Sequence, residues 1–216
     1  MTRYRKGHKE STRRGIVDVA TSKLRVDGIE GARVSDVMRE AGLTHGGFYV
    51  HFDSKDDLVG EACAAGVAAA REAVIAAASR AAPGERVRAV LDVYLTPQRR
   101  DSAGCTLATL GGEIARQPES VRARFSEELL KSVDAIAPLM DGVDGQHRGD
   151  QVIAMVASMV GAMMLSRAVS DATLSERILD VGRRAMSGAV EQAGKPVAPQ
   201  PTHQTPGRSR QRTSRA

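Results

Sequence analysis

Apolar positions recur along this chain at helical spacing, and no run alternates apolar and polar residues as a strand would. Ile16, Val19, Ala20 and Leu24 form one stripe inside a helix predicted over about 9–26 and ended by Asp27-Gly28. Val34, Val37, Met38 and Ala41 fall at i, i+3, i+4 and i+7, with Ser35, Asp36, Arg39 and Glu40 on the outer face. Gly42 follows where a helix closes in a left-handed cap, and Thr44 is of the type that opens the next one. Phe48 and Phe52, four apart, would lock that second short helix to its own domain. Ser54 then caps a long helix whose first turn carries Asp56 and Asp57, where carboxylates suit the dipole. Twelve of the twenty-two residues 61–82 are alanine, so this helix is expected to be stiff and slender.

The later segments extend the pattern. Pro83 is expected to open a fifth helix, with Val87, Val90, Leu91, Tyr94 and Leu95 inward and Pro97 stopping it. A sixth is predicted over 104–117, a seventh over about 119–140, a loop over 141–150, and two last helices over about 151–170 and 173–192. The eighth is apolar nearly all round (Val152, Met155, Val156, Met159, Val160, Met163, Met164), which makes it wholly buried, one side in the core and the other against a second subunit. The expectation is an all-α protein of about nine helices. It divides into a three-helix helix-turn-helix DNA-binding domain with a basic arm (1–57), a helical effector-binding and dimerisation domain (58–193), and an aperiodic basic tail (194–216).

The stretch 34–52 carries the chemistry. Three of the six aromatics, Phe48, Tyr49 and Phe52, fall within five positions there, beside two histidines and two adjacent glycines. Each glycine in a helix costs about 1 kcal/mol relative to alanine, so Gly46-Gly47 in a first turn implies close approach of something to the backbone. In a helix-turn-helix the second helix lies in the major groove with its N-terminal residues against base edges. That arrangement leaves Tyr49, Val50 and His51 for the groove and its phosphate walls, with Phe48 as a core aromatic.

The run LTHGGFYVHFDSKDDL resembles the signature of TetR-family transcriptional regulators: Gly46, Tyr49 and Phe52 in a Gly-x-x-Tyr-x-x-Phe spacing, then Ser54-Lys55 opening the next helix. The resemblance runs from about Arg13 to Leu58. It implies DNA contacts at Ser35, His45, Gly46, Gly47, Tyr49 and His51, and a phosphate contact at Lys55. Ala32-Arg33 stands where the family often has a Ser or Thr cap, and Arg33 is a candidate phosphate contact there. With Thr44 these complete the candidate DNA-binding set. The resemblance further implies a homodimer through the last two helices and an effector site enclosed by the fifth to eighth. Ligand binding would then tilt the fourth helix and spread the two heads. The candidate pocket residues are Leu91, Tyr94, Leu107, Phe125, Met155 and Met159. Few aromatics lie beyond residue 52, so the effector is expected to be apolar or amphipathic. The methionines are read first as ordinary core or interface packing and second as the lining of an adaptable pocket.

Charge sharpens the DNA reading. The net charge is +5, and residues 1–14 hold six lysines and arginines against one glutamate. Residues 194–216 hold five and no acid, leaving the body mildly acidic. Basic segments release counterions from DNA, although the tail fits a solvated end as well as a nucleic-acid contact. No phosphate-cradling loop, metal-spaced cluster or Ser-His-Asp set points to an enzyme, a metal or a cofactor. The longest uncharged run, Gln151 to Ser166, is sixteen residues, below the ~18–20 of a membrane span. A charged N-terminus without an apolar core and two cysteines fit a cytoplasmic protein with free thiols. Cys105, expected in the first turn of the sixth helix, supplies the alternative of a thiol-based electrophile or oxidant sensor. Cys63 is read as packing. A third reading is a basic-arm protein that binds DNA without regard to sequence.

Overall fold

In the computed structural model, residues 2–102, 104–141 and 145–193 are described. The tail from 194 onward, with the basic residues assigned to it, lies outside them. The described residues form nine α-helices and no strand: α1 (Thr2–Gly31), α2 (Val34–Glu40), α3 (Lys55–Ser79), α4 (Arg86–Tyr94), α5 (Pro97–Asp101), α6 (Thr106–Ile114), α7 (Glu119–Ile136), α8 (Arg148–Ala168) and α9 (Ala172–Ala193). They are not the nine expected. His45–Val50, between α2 and α3, is a 3-10 helix, because two glycines and only six residues give too little propensity to hold a full α-turn. The added member is α5. Pro97 does not merely stop the preceding helix but occupies the first turn of a new one, where Thr96 accepts a hydrogen bond from the Arg99 N–H at 3.2 Å.

Other boundaries shift for local reasons. α4 starts at Arg86 rather than at Pro83, because Gly84 (φ 89°) turns the chain first. α8 begins at Arg148, three residues before the expected Gln151. The basic arm is, from Thr2, the opening turns of α1. Arg13 does not reach outward: its Nε donates to the Glu61 carboxylate at 3.1 and 3.2 Å, and its guanidinium lies 4.2 Å over the Phe52 ring. Gly28 does break α1, with φ 74° and ψ 173°, before one more turn to Gly31.

Two apolar cores stack along α3. The first joins α1 and α2 to the start of α3 through Ile16, Leu24, Met38, Phe48, Phe52 and Leu58, and it also takes in Leu110, Ile114 and Val121 from α6 and α7. The second holds the far end of α3 with α4, α6, α7, α8 and α9. α3 is ~37 Å long at 1.5 Å per residue and packs most extensively on α7. α3 and α8 have the length and apolarity of a membrane span, but both pack against several other helices here. α8 is not wholly buried in the single chain. Val152, Met155, Met159 and Met163 face inward, while Ile153, Met164 and Leu165 are at least half exposed.

Candidate DNA interface and ligand cavity

α2 ends as the sequence indicates. Gly42 takes φ 73°, and the Leu43 N–H reaches back to the Met38 carbonyl at 2.8 Å, a Schellman closure that aims the chain into the recognition segment. Phe48 and Phe52 are buried and stacked, with ring centroids 5.5 Å apart. That anchor turns Thr44, His45, Gly46, Tyr49 and Val50 outward together. Tyr49 is 70% exposed and braced edge-on against Phe48 at 5.2 Å. Arg33 and Ser35 are exposed at the start of α2, and Arg33 makes no side-chain cap. Thr44 does not cap with its side chain either; its carbonyl accepts from the Gly47 N–H at 3.0 Å instead.

Three candidates are less exposed than the rest, the first being Gly47, which is half-buried and faces Met38 and Thr44. His51 is half-buried with its Nδ1 buried and unpartnered, turned inward rather than out to a groove. Burial, with the cations Lys9 and Arg13 nearby, holds its imidazole below the ordinary range, so it is neutral at neutral pH. Lys55 is half-buried at the head of α3, and its Nζ lies 3.5 Å from the Glu30 carbonyl. Ser54 does cap α3, accepting from the Asp57 N–H at 3.1 Å.

Behind the head, α3, α4, α6, α7 and α8 line a half-open cavity of about 40 Å³. Tyr94, Leu107 and Met159 of the candidate pocket line it, with Cys105 and Arg71. Leu91 is fully buried in the second core without lining this space, and Met155 lines a separate half-open groove with Met140 and Met186. Phe125 does not belong to the pocket: it packs against the first core, near the head. Cys105 is 2% exposed and occupies the cap position just before α6, rather than its first turn. Cys63 is a core thiol, pushed up to about 12 by burial and by Glu113. Among the described residues no group of three or more His, Cys, Asp or Glu could hold a metal ion.

Residues 16–62 match the family described as bacterial regulatory proteins, tetR family. The match is to the N-terminal segment alone, which is that of a TetR-type helix-turn-helix. A comparison with curated protein sequences finds no match, but the fold of the whole chain recurs in solved structures. Over 86% of this chain and 97% of the other, it superposes with a TM-score of 0.67 on SCO4454, a TetR-family transcriptional regulator from Streptomyces coelicolor, at 21% identity. A TetR regulator from Chloroflexus aurantiacus matches at 0.68 with 22% identity, over 86% and 96%. NemR of Escherichia coli in its reduced form matches at 0.69 with 16% identity, over 82% and 96%.

Sequence reasoning missed the residues that join the N-terminal head to the rest of the chain. Glu113, at the far end of α6 from the cavity, accepts a hydrogen bond from the Ile29 N–H at 2.7 Å. That amide is exposed by the break at Gly28, so a carboxylate from one part of the chain caps a helical turn in the other. A Cβ on Gly28 would stand 3.0 Å from the same carboxylate. Arg124 of α7 reaches back to Asp57, donating to its carbonyl at 3.1 Å and pairing with its carboxylate at 2.7 Å. The glycine before an isolated Ile29 was the only local signal, and it does not name a partner eighty-four residues away.

Proposed function

We propose that this DNA-binding transcriptional regulator acts in the cytoplasm as a homodimeric repressor, released from a pseudo-palindromic operator by a small apolar or amphipathic effector. The single observation that carries the DNA reading is the recognition segment. Phe48 and Phe52 hold it from beneath while His45, Gly46, Tyr49 and Val50 stand out, and no atom beyond its own turn lies within 4 Å of where a Gly46 Cβ would be. In this reading His45 and the two glycines meet base edges, while Tyr49, Lys55, Arg33, Ser35 and Thr44 meet phosphates. His51 supports the segment from within. Residues 1–57 are the head and 58–193 the effector and dimerisation domain.

Dimerisation is supported by the apolar surface of the last two helices: Ile153, Met164 and Leu165 on α8, and Leu174 and Val181 on α9, are each about half exposed. A two-fold dimer reads half-sites ~34–36 Å apart, or a multiple of that. The cavity supplies the switch. At about 40 Å³ it holds roughly one water, so any larger ligand must part its walls. Val67, Ala70, Arg71 and Val74 put α3 in that wall, and α3 carries Lys55 and the head at its other end. Cys105 lines the same wall, which is the observation favouring the second reading, a thiol whose modification opens the cavity.

The test is fluorescence anisotropy on a labelled duplex from the regulator's own upstream region against a scrambled duplex, across a salt series. A preference that persists as salt rises supports specific recognition; equal, salt-sensitive binding to that duplex and to sites selected from random DNA supports the sequence-blind alternative. Tyr49→Ala and Lys55→Ala are expected to weaken binding to all sequences several-fold, and His45→Ala to change base preference. An unchanged preference profile in His45→Ala would remove His45 from the groove. Effector and oxidant titrations into the complex then separate ligand from thiol, since only the thiol route is lost in Cys105→Ser.

A further inference from the structure

The cavity's polar groups are nearly all spent within the protein. The Ser132 hydroxyl donates to the Glu128 carbonyl at 2.8 Å. The Arg71 guanidinium is paired with the Glu128 carboxylate at 2.9 Å, and Lys131 shares that carboxylate at 2.7 Å. Cys105 offers only a thiol, a weak partner in either direction. The exception is Tyr94. Its side chain lines the cavity at 5% exposure, and its buried hydroxyl has no oxygen or nitrogen partner, only the Cys105 thiol beside it, a weak acceptor that a ligand oxygen would outcompete. The ring is held in place by the Arg99 guanidinium, 4.9 Å above it.

We propose that the cavity takes a small uncharged ligand, mostly apolar, bearing one neutral oxygen that accepts a hydrogen bond from the Tyr94 hydroxyl. This rests on the reading of the cavity as the effector site, whose walls part to admit anything larger than a water. An unpaired buried hydroxyl is costly, and a ligand that satisfies it recovers that cost as affinity. Apolar walls from Val67, Val74, Leu129 and Val156 take the rest of the molecule. A carboxylate is disfavoured because the one cation in the wall is already neutralised, and an organic cation because the one nearby carboxylate is shared by two bases. Burial, with Cys105 alongside, keeps the phenol above its ordinary range, so Tyr94 remains a neutral donor at any working pH.

Three probes of one size separate the terms: acetophenone (a neutral acceptor), ethylbenzene (no acceptor) and benzoate (a charged acceptor). They are titrated into the full chain, and into Tyr94→Phe, by calorimetry or ligand-observed NMR. The expected result is acetophenone about tenfold tighter than ethylbenzene, which corresponds to about 1.4 kcal/mol, with benzoate weakest. Tyr94→Phe, which removes only a hydroxyl whose sole neighbour is the weakly bonding Cys105 thiol, should fold normally and bring acetophenone to within about twofold of ethylbenzene, whose own affinity stays put. If the two neutral probes bind the wild-type chain equally, if their gap survives in Tyr94→Phe, or if benzoate binds best, the hydrogen-bond inference is overturned while the effector site stands. If none of the three binds, the effector-site reading fails with it.

Discussion

The recognition segment and the stem helix α3 both depend on glycine, for opposite reasons. A Cβ at Gly46 would meet nothing within 4 Å, and one at Gly47 would make only ordinary contacts with Met38 and Thr44, at 3.6 and 3.8 Å. On α3, a Cβ at Gly66 would lie 2.1 Å from Thr106 Oγ1, and one at Gly60 would lie 3.0 Å from Arg124 Cδ. The stem needs the space for its own neighbours, α6 and α7. At Gly46 the fold itself sets no demand for a small residue, which is what the proposed approach of DNA to that turn would require. Gly66 is explained by its neighbours in the fold, whereas Gly46, like Gly111 or Gly161, is not.

That contrast can be broken from either side. The largest effect is expected at Gly66→Val, where overpacking against the buried Thr106 should cost about 2–3 kcal/mol, read as a lower urea midpoint. Glu113→Ala should follow at about 2 kcal/mol, because the Ile29 amide loses its acceptor at a partly buried site. It should also reduce the effector's ability to release DNA, measured as a smaller anisotropy change at saturating ligand. Gly46→Ala is expected to do the reverse of Gly66→Val, adding up to about 1 kcal/mol of stability while weakening operator binding several-fold. If Gly46→Ala left operator affinity intact, the space above it would have no reader.

The smallest effect is electrostatic. Lys131 and then Arg71, through hydrogen bonds, hold the Glu128 carboxyl below the ordinary carboxylate range. Its folded pKa is depressed, so its contribution is complete above the unfolded value of about 4.3 and fades as pH falls through the lower folded value. Arg71 joins α3 to α7 through this pair. Acid should therefore loosen the cavity wall by no more than about 1 kcal/mol. Glu128→Gln should flatten that part of the stability–pH curve.

The head was more legible than the body because its information is local. The i, i+4 pair Phe48 and Phe52, the Gly42 cap and the Ser54 cap each need only a few residues of context, and each stands where the pattern put it. His51 escaped that logic, since its inward turn depends on α1 packed above it. Phe125 was assigned to the pocket from composition, but which core it joins depends on where α7 lies along α3, and the periodicity of α7 cannot encode that. Tyr94, Leu107 and Met159 were placed from the expected layout of the helices and do meet around one cavity. Glu113 was invisible because its role depends on a break in a helix far away in sequence.

The shared first core bears on how such a protein can be recombined. A chimera cut at residue 57, with this head fused to another body, would leave Ile29 without Glu113 and strip the head of Leu110, Ile114 and Val121. The transplantable unit is discontinuous: the head, the first half of α3, all of α6 and the opening turn of α7. New combinations of operator and effector built on this scaffold should be spliced along that seam rather than at a point in the chain.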